Sequence, residues 1–178
     1  MSREVLTPAQ CGEMLTAWFS SRCNSSKAKS LAAAAGYKYS FFSPSRKLRL
    51  LEEVTFLYLC LAVHGVNLAV AEHHIVQSTV DSFLEHMKVS VLKSLALGDS
   101  GFDGRYTKRV GTYFECLRGG CDAIGLAGEF LVGLFGTSEA RLKLNGTLAL
   151  SQEIAASQLS LKHIFERVEV RDEPAPYV

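Results

Sequence analysis

VTFLYLCLAVHGVNLAVA, residues 54–71, decides how the rest of the chain is read. Its length would suffice for a membrane, since roughly 20 apolar residues cross a bilayer. However, His64, Gly65 and Asn67 lie inside it, and each polar group would need a partner in lipid. The mean hydropathy of the whole chain, +0.13, is modest. The stretch therefore reads as a core helix rather than a membrane span. Upstream the helical signal extends back to Pro44, with Leu50, Val54, Leu57 and Leu61 on one face and Leu48, Leu51 and Tyr58 on another. Apolar residues on several faces predict a central helix surrounded by others. Gly65 is a candidate kink or end, with helix resuming through Ala71 to Ile75. His64 within this helix reads as a core histidine that needs a hydrogen-bond partner such as Asn67 or a carbonyl.

Toward the N-terminus, Thr7, Pro8 and Gln10 form a capping box with proline at the first helical position. Cys11, Met14, Leu15, Trp18 and Phe19 follow at helical spacing, predicting a helix to about Arg22. Residues 23–43 read as a basic and aromatic arm, with a short helix from Ser30 to Ala35 stopped by Gly36 and an extended run from Tyr37 to Phe42. Toward the C-terminus, Ser78 and Asp81 open a helix to about Leu97, with Val80, Leu84, Met87 and Val91 inward. Gly98–Gly101 is a turn, and Ser100 with Asp103 starts a helix whose stripe is Tyr106, Val110, Tyr113, Phe114 and Leu117. Gly119-Gly120 ends it. Asp122 to Phe135 is a short helix rich in small residues. A brief helix after Ser138 precedes an Asn145-Gly146 turn. The last helix, roughly Thr147 to Val168, carries a seam of Leu150, Ile154, Ser157, Leu161, Ile164 and Val168 at alternating steps of four and three.

Strand signals are nearly absent. The fold expected is all-α: a single-domain bundle of about six helices over residues 1–170, then a disordered tail, 171–178. At 178 residues, with 48% apolar and 21% charged residues, the chain can bury about 70% of its unfolded surface without disulfide staples. It is neither collagen-like nor wholly disordered. No apolar leader follows the N-terminal methionine, so the expected location is cytoplasmic and the five cysteines are read as thiols.

Charge is distributed unevenly. Residues 1–51 hold eight basic and two acidic residues, a net of +6, while residues 52–178 hold eleven and sixteen, a net of −5. Between Met14 and Leu51 there is no acid at all, and Tyr37, Tyr39, Phe41 and Phe42 lie among the cations. Rings beside cations suit stacked bases or an anionic membrane surface. Alternatively the arm packs against the acidic remainder, within the subunit or across a dimer, with its aromatics underneath.

Chemistry-bearing motifs are sparse. No Glu-x-x-His or His-x-x-x-His pattern accompanies His64, Glu72, His73, His74 and His86, so neither a di-iron nor a zinc-protease site is signalled. Cys116 and Cys121 stand at C-x4-C, which is not a redox or zinc spacing. Cys60 reads as core. The glycines from 119 to 136 match no phosphate-binding pattern. Glu129, within the apolar GLAGEFLVG, needs an Arg or His partner if buried.

Three readings follow. The first is a non-enzymatic helical bundle that self-associates as a homo-oligomer, through Leu150, Ile154, Leu161 and Ile164, with Tyr39, Phe41 and Phe42 from the arm. The second is an anion or nucleic-acid binder using Lys38, Arg46, Lys47 and Arg49. The third is a small-ligand or metal-binding bundle, or an enzyme, with a pocket beside His64, Glu72 and Glu129. No cofactor and no specific metal ligand set is expected.

Overall fold

The computed structural model describes residues 3–72, 74–87, 102–136 and 144–171, which form an all-α bundle. Its axis is α3, Pro44–Ala71. Ser43 caps it by accepting from the Arg46 amide (3.3 Å), and Pro44 occupies the first turn, where its missing N–H costs nothing. Every residue from Glu52 to Ala62 is buried, on all faces, as the multi-faced apolar pattern predicts. By length and composition α3 could cross a membrane, yet 61% of its most apolar window is covered by the other helices. The helix runs through Gly65 without a break and ends at Ala71. Gly65 is a crossing point instead: a Cβ there would stand 3.3 Å from Leu161 Cδ1 on the last helix.

Around it lie α1 (Pro8–Arg22), α2 (Ser25–Ala34), α4 (Gln77–Met87), α5 (Phe102–Arg118), α6 (Ala123–Phe135) and α7 (Leu144–Arg167). The Thr7 capping box of α1 is complete, with hydrogen bonds of 2.9 and 3.3 Å to and from Gln10. Cys11, Leu15, Trp18 and Phe19 are buried. On α4, Val80 and Phe83 point inward; on α5, Tyr113 and Leu117 are buried, with Tyr106, Val110 and Phe114 half-buried. Asp122 caps α6, accepting from the Gly125 amide at 2.9 Å. α3 touches α1, α5, α6 and α7, while α1 packs on α4 and α6 on α7.

Several expectations need correction. The short helix of the basic arm starts earlier than expected, and the run from Tyr37 to Phe42 is not extended throughout. Asn24 accepts from the Lys27 amide (2.9 Å) and starts α2 five residues before Ser30, and Tyr39–Phe41 form a turn of 3-10 helix. Asn145-Gly146 is not a turn, because α7 already begins at Leu144. Two short strands exist where none was expected. β1 (Glu4–Leu6) pairs in parallel with β2 (Val168–Val170), so β2 directly continues α7. Arg171, assigned to the tail, donates its amide to Leu6 O at 3.0 Å. The pattern was too short to read: three residues cannot display alternation. Nor are all cysteines thiols, since Cys116 and Cys121 are disulfide-bonded. Gly120, at φ 75°, reverses the chain, and the Cys121 amide returns to Cys116 O (2.9 Å), placing the two sulfurs together. Cys11 and Cys60 are buried thiols, pushed up to about 11 and about 12 by desolvation. The expected end of α4 at Leu97, Val91, the Gly98–Gly101 turn, the brief helix after Ser138 and the tail 172–178 lie outside the described residues.

Close helix contacts depend on single glycines. At Gly146 a Cβ would stand 2.9 Å from both Cα and O of Ala35, backbone that cannot rotate away. Alanine in a helix interior normally gains 0.5–1 kcal/mol, roughly, over glycine. Gly146→Ala should nevertheless lower stability by about 1–3 kcal/mol through overpacking. Gly111→Ala, in α5 with open space around it, should raise stability by about 0.5–1 kcal/mol. Urea unfolding of both variants checks the pair of opposite signs.

Candidate functional site

The loop between α2 and α3 folds back so that its rings cluster on α6. Gly36, at φ 81°, ends α2 and the Tyr37 amide closes on Ala32 O (2.8 Å). The Tyr37 ring then stacks on Phe135, with centroids 3.9 Å apart. Phe42 meets both rings edge-on at 6.0 and 6.2 Å, and Tyr39 lies 5.9 Å from Phe42. This cluster buries Phe42 to 6% exposure but leaves Phe41 at 80%.

Cations from three segments stand over these rings. Lys29 and Lys47 are 5.5 and 5.2 Å from the Tyr39 centroid, Lys38 is 5.8 Å from Phe41, and Arg46 is 5.7 Å from Phe42 and 5.5 Å from Phe135. Each contact contributes about 0.5–1 kcal/mol at an exposed site, and none neutralises the charge. Lys27 pairs with Glu153 on α7, so the basic segment does meet the acidic remainder at that point. Among the described residues Lys29, Lys38, Arg46, Lys47 and Arg49 have no carboxylate partner. Their charge is therefore left facing solvent beside an exposed ring.

A second polar centre lies where α3, α5 and α6 meet. Glu52 and Glu53 enter the core side by side, at 8% and 5% exposure. Arg105 forks onto Glu52 at 3.1 and 2.8 Å. Arg109 donates twice to Glu53 Oε1, at 2.8 and 2.5 Å, and the Tyr113 hydroxyl donates to the same oxygen at 2.7 Å. These three donors recur every four residues, so one face of α5 presents all of them. Burial and the Glu53 charge push the Tyr113 hydroxyl well above its ordinary range. Burial alone would lower the Arg109 guanidinium, but Glu53 and Tyr113 outweigh it and raise it. Arg109 also reaches the Glu129 backbone oxygen (2.7 Å) and stands 3.8 Å from its carboxylate. Gly133 makes room for this, because a Cβ there would fall on the Glu53 carboxylate. The cleft above the network, of about 290 Å³, is lined in part by Arg49, Lys108, Arg105 and Glu52.

Of the expected pocket, His64 and Glu72 do come together. They line a cleft of about 410 Å³ between α3 and α7, floored by Leu61, Gly65, Leu161 and Phe165. His74 Nε2 stands 3.4 Å from Glu72 Oε2 at its rim. Glu129 does not belong there; Arg109 holds it on α6, in the other centre. The α7 seam also needs correction as an intersubunit surface. Leu150, Ile154 and Leu161 are 1–2% exposed within the chain's own core, and Ile164 is half-buried. Of the arm's three contact residues, Phe42 is buried, Tyr39 half-buried and Phe41 free.

The sequence reading names Tyr113 only as part of the buried stripe of α5, and gives Glu52, Glu53, Arg105 and Arg109 no role. Two signals were present: adjacent acids at the entry to an apolar run, and two arginines and a tyrosine at four-residue spacing. Among the described residues no three His, Cys, Asp or Glu side chains gather as metal ligands. The chain matches no family model, no curated protein and no solved structure.

Desolvation in its cleft lowers the His64 imidazole from its ordinary value of 6.5. The unfolded chain then takes up the proton first, so stability is full above about pH 6.5 and falls as pH drops toward the lowered value. Between about pH 7.5 and pH 5.5 the urea midpoint of the native protein should fall more steeply than that of His64→Gln. His64 is thus a half-buried cleft residue rather than the expected core histidine, and equal slopes would exclude this account of its imidazole.

Proposed function

We propose that this chain is a non-enzymatic helical module that binds a polyanion carrying flat rings between its charges, the chemistry of a single-stranded nucleic acid. The observation that carries the reading is the α2–α3 face. Lys38 stands over Phe41, whose ring is 80% exposed, and Lys29, Arg46 and Lys47 stand over the neighbouring rings, all four without a carboxylate partner among the described residues. Bases stacked on aromatic side chains contribute about 1–3 kcal/mol each, and neighbouring Lys and Arg release counterions from the phosphates. An anionic membrane suits the face less well, because a helix lying in an interface needs a continuous apolar side. Here Phe41 stands among cations, and the other rings are packed on one another.

Anisotropy of a labelled oligothymidylate, titrated at several salt concentrations, tests the reading. Binding should weaken steeply with salt. Changing Lys38, Arg46, Lys47 and Arg49 together to Ala should abolish it while the protein stays folded, with an unfolding midpoint lowered only by the lost cation–π contacts, and Phe41→Ala should weaken it about tenfold, equivalent to about 1.4 kcal/mol. Binding to phosphatidylserine vesicles but not to the oligonucleotide would sink it.

Self-association is the second reading, supported by a different observation. Leu68 on α3 and Leu159 on α7 line the same cleft yet stand 50% and 53% exposed. A twofold contact there would cover both. Light scattering should then report a dimer that Leu68→Ser with Leu159→Ser returns to monomer. A native protein that stays monomeric at high micromolar concentration removes this reading.

A further inference from the structure

The cleft between α3 and α5 is lined by two cations that the ion pairs among the described residues leave out. Its two carboxylates, Glu52 and Glu53, are fully engaged by Arg105 and Arg109. Arg49, one turn before them on α3, and Lys108, on the facing helix, line the same cleft and have no carboxylate partner among the described residues. Among the described residues that line the cleft, Arg49 and Lys108 are thus the two cations outside its ion pairs.

We propose that this cleft is a phosphate-group site, in which Arg49 and Lys108 take the phosphate oxygens above the anchored Arg105. The inference rests on the polyanion reading and extends it: the phosphodiester backbone of a strand stacked at Phe41 continues across α3 into the cleft. Three features favour phosphate. The carboxylates hold Arg105 and Arg109 in ion pairs, so the floor of the cleft is set before a ligand arrives and only Arg49 and Lys108 need be ordered on binding. Guanidinium groups match phosphate oxygens with paired N–H donors. The volume, about 290 Å³, is small for a drug-sized ligand and suits a phosphate with its ester oxygens.

Position supports one continuous path. Arg46 and Arg49 are three residues apart on α3 and therefore neighbours on its surface, about 4.5 Å apart along the axis. Arg46 stands over the aromatic cluster, and Arg49 lines the cleft. A polymer leaving the rings meets the cleft next.

Lys108→Ala tests this, because Lys108 is exposed and lies outside the aromatic face. Oligothymidylate affinity is measured against salt for the native protein, for Lys108→Ala and for Lys162→Ala, whose lysine pairs with Glu166 on α7. Loss of one phosphate contact should reduce the salt slope by about 0.7 and weaken binding several-fold in Lys108→Ala, with no change in Lys162→Ala. An unchanged slope in Lys108→Ala overturns the site while leaving the polyanion reading in place. If the native protein binds no oligonucleotide, that reading fails, and titration with inorganic pyrophosphate judges the site alone. Pyrophosphate binding that Lys108→Ala abolishes keeps the site, with a free phosphate compound as its source. Pyrophosphate binding that is absent, or that survives Lys108→Ala, overturns it.

Discussion

The burial of two adjacent carboxylates on the central helix is the constraint that organises the rest. Glu52 and Glu53 sit where α3 passes from its basic first turns into the core. A carboxylate taken out of water loses several kcal/mol of solvation, and breaking such a pair costs about 3–5 kcal/mol. The charge must be answered in place. Arg105, Arg109 and Tyr113 do so from one face of α5, which fixes that helix in rotation and height against α3. Arg109 then reaches the Glu129 carbonyl and draws α6 into the same corner, where Gly133 leaves the space required. Apolar packing alone would tolerate some sliding between helices. Hydrogen bonds to a single oxygen tolerate little.

With the acids of this corner neutralised by α5, the cations that precede them on α3 are left without partners. The strongly basic first third of the chain meets the acidic remainder at Lys27 and Glu153, but Lys29, Lys38, Arg46 and Lys47 collect over the rings of the α2–α3 loop. Cation–π contacts hold these side chains near aromatic surface without consuming their charge. The outcome is a face both positive and aromatic, continuous with the cleft at Arg49.

Local signals were legible wherever the physics is local. The Thr7 box, Pro44 and Asp122 mark helix starts because a cap involves residues three apart in sequence. The central position of α3 was legible because apolar residues on every face leave no side for water. The start of α2 is set by an equally local signal, the Asn24 side chain accepting from the Lys27 amide, which an expected start at Ser30 leaves out. The site was partly legible. Lys38, Arg46, Lys47 and Arg49 stand out by the absence of neighbouring acids, and His64 and Glu72 as polar residues within and just after the most apolar stretch. Glu129 was misplaced because helix α6 brings it to Arg109, a partner 20 residues away in sequence.

By itself, then, the sequence determined the all-α class, the central helix, most helix starts and the asymmetry of charge, since each depends on propensity, periodicity or composition along a short segment. Tertiary structure alone decided which charges stay free. It paired Glu52 and Glu53 with α5, turned the α7 seam inward and stacked Tyr37 on Phe135. It also joined Cys116 to Cys121 and closed β1 on β2 across the whole length of the chain. Neutralisation and burial are properties of pairs, and the partners here are mostly brought together from distant positions. One-dimensional spacing carries no record of which partner a charge or an apolar face will meet.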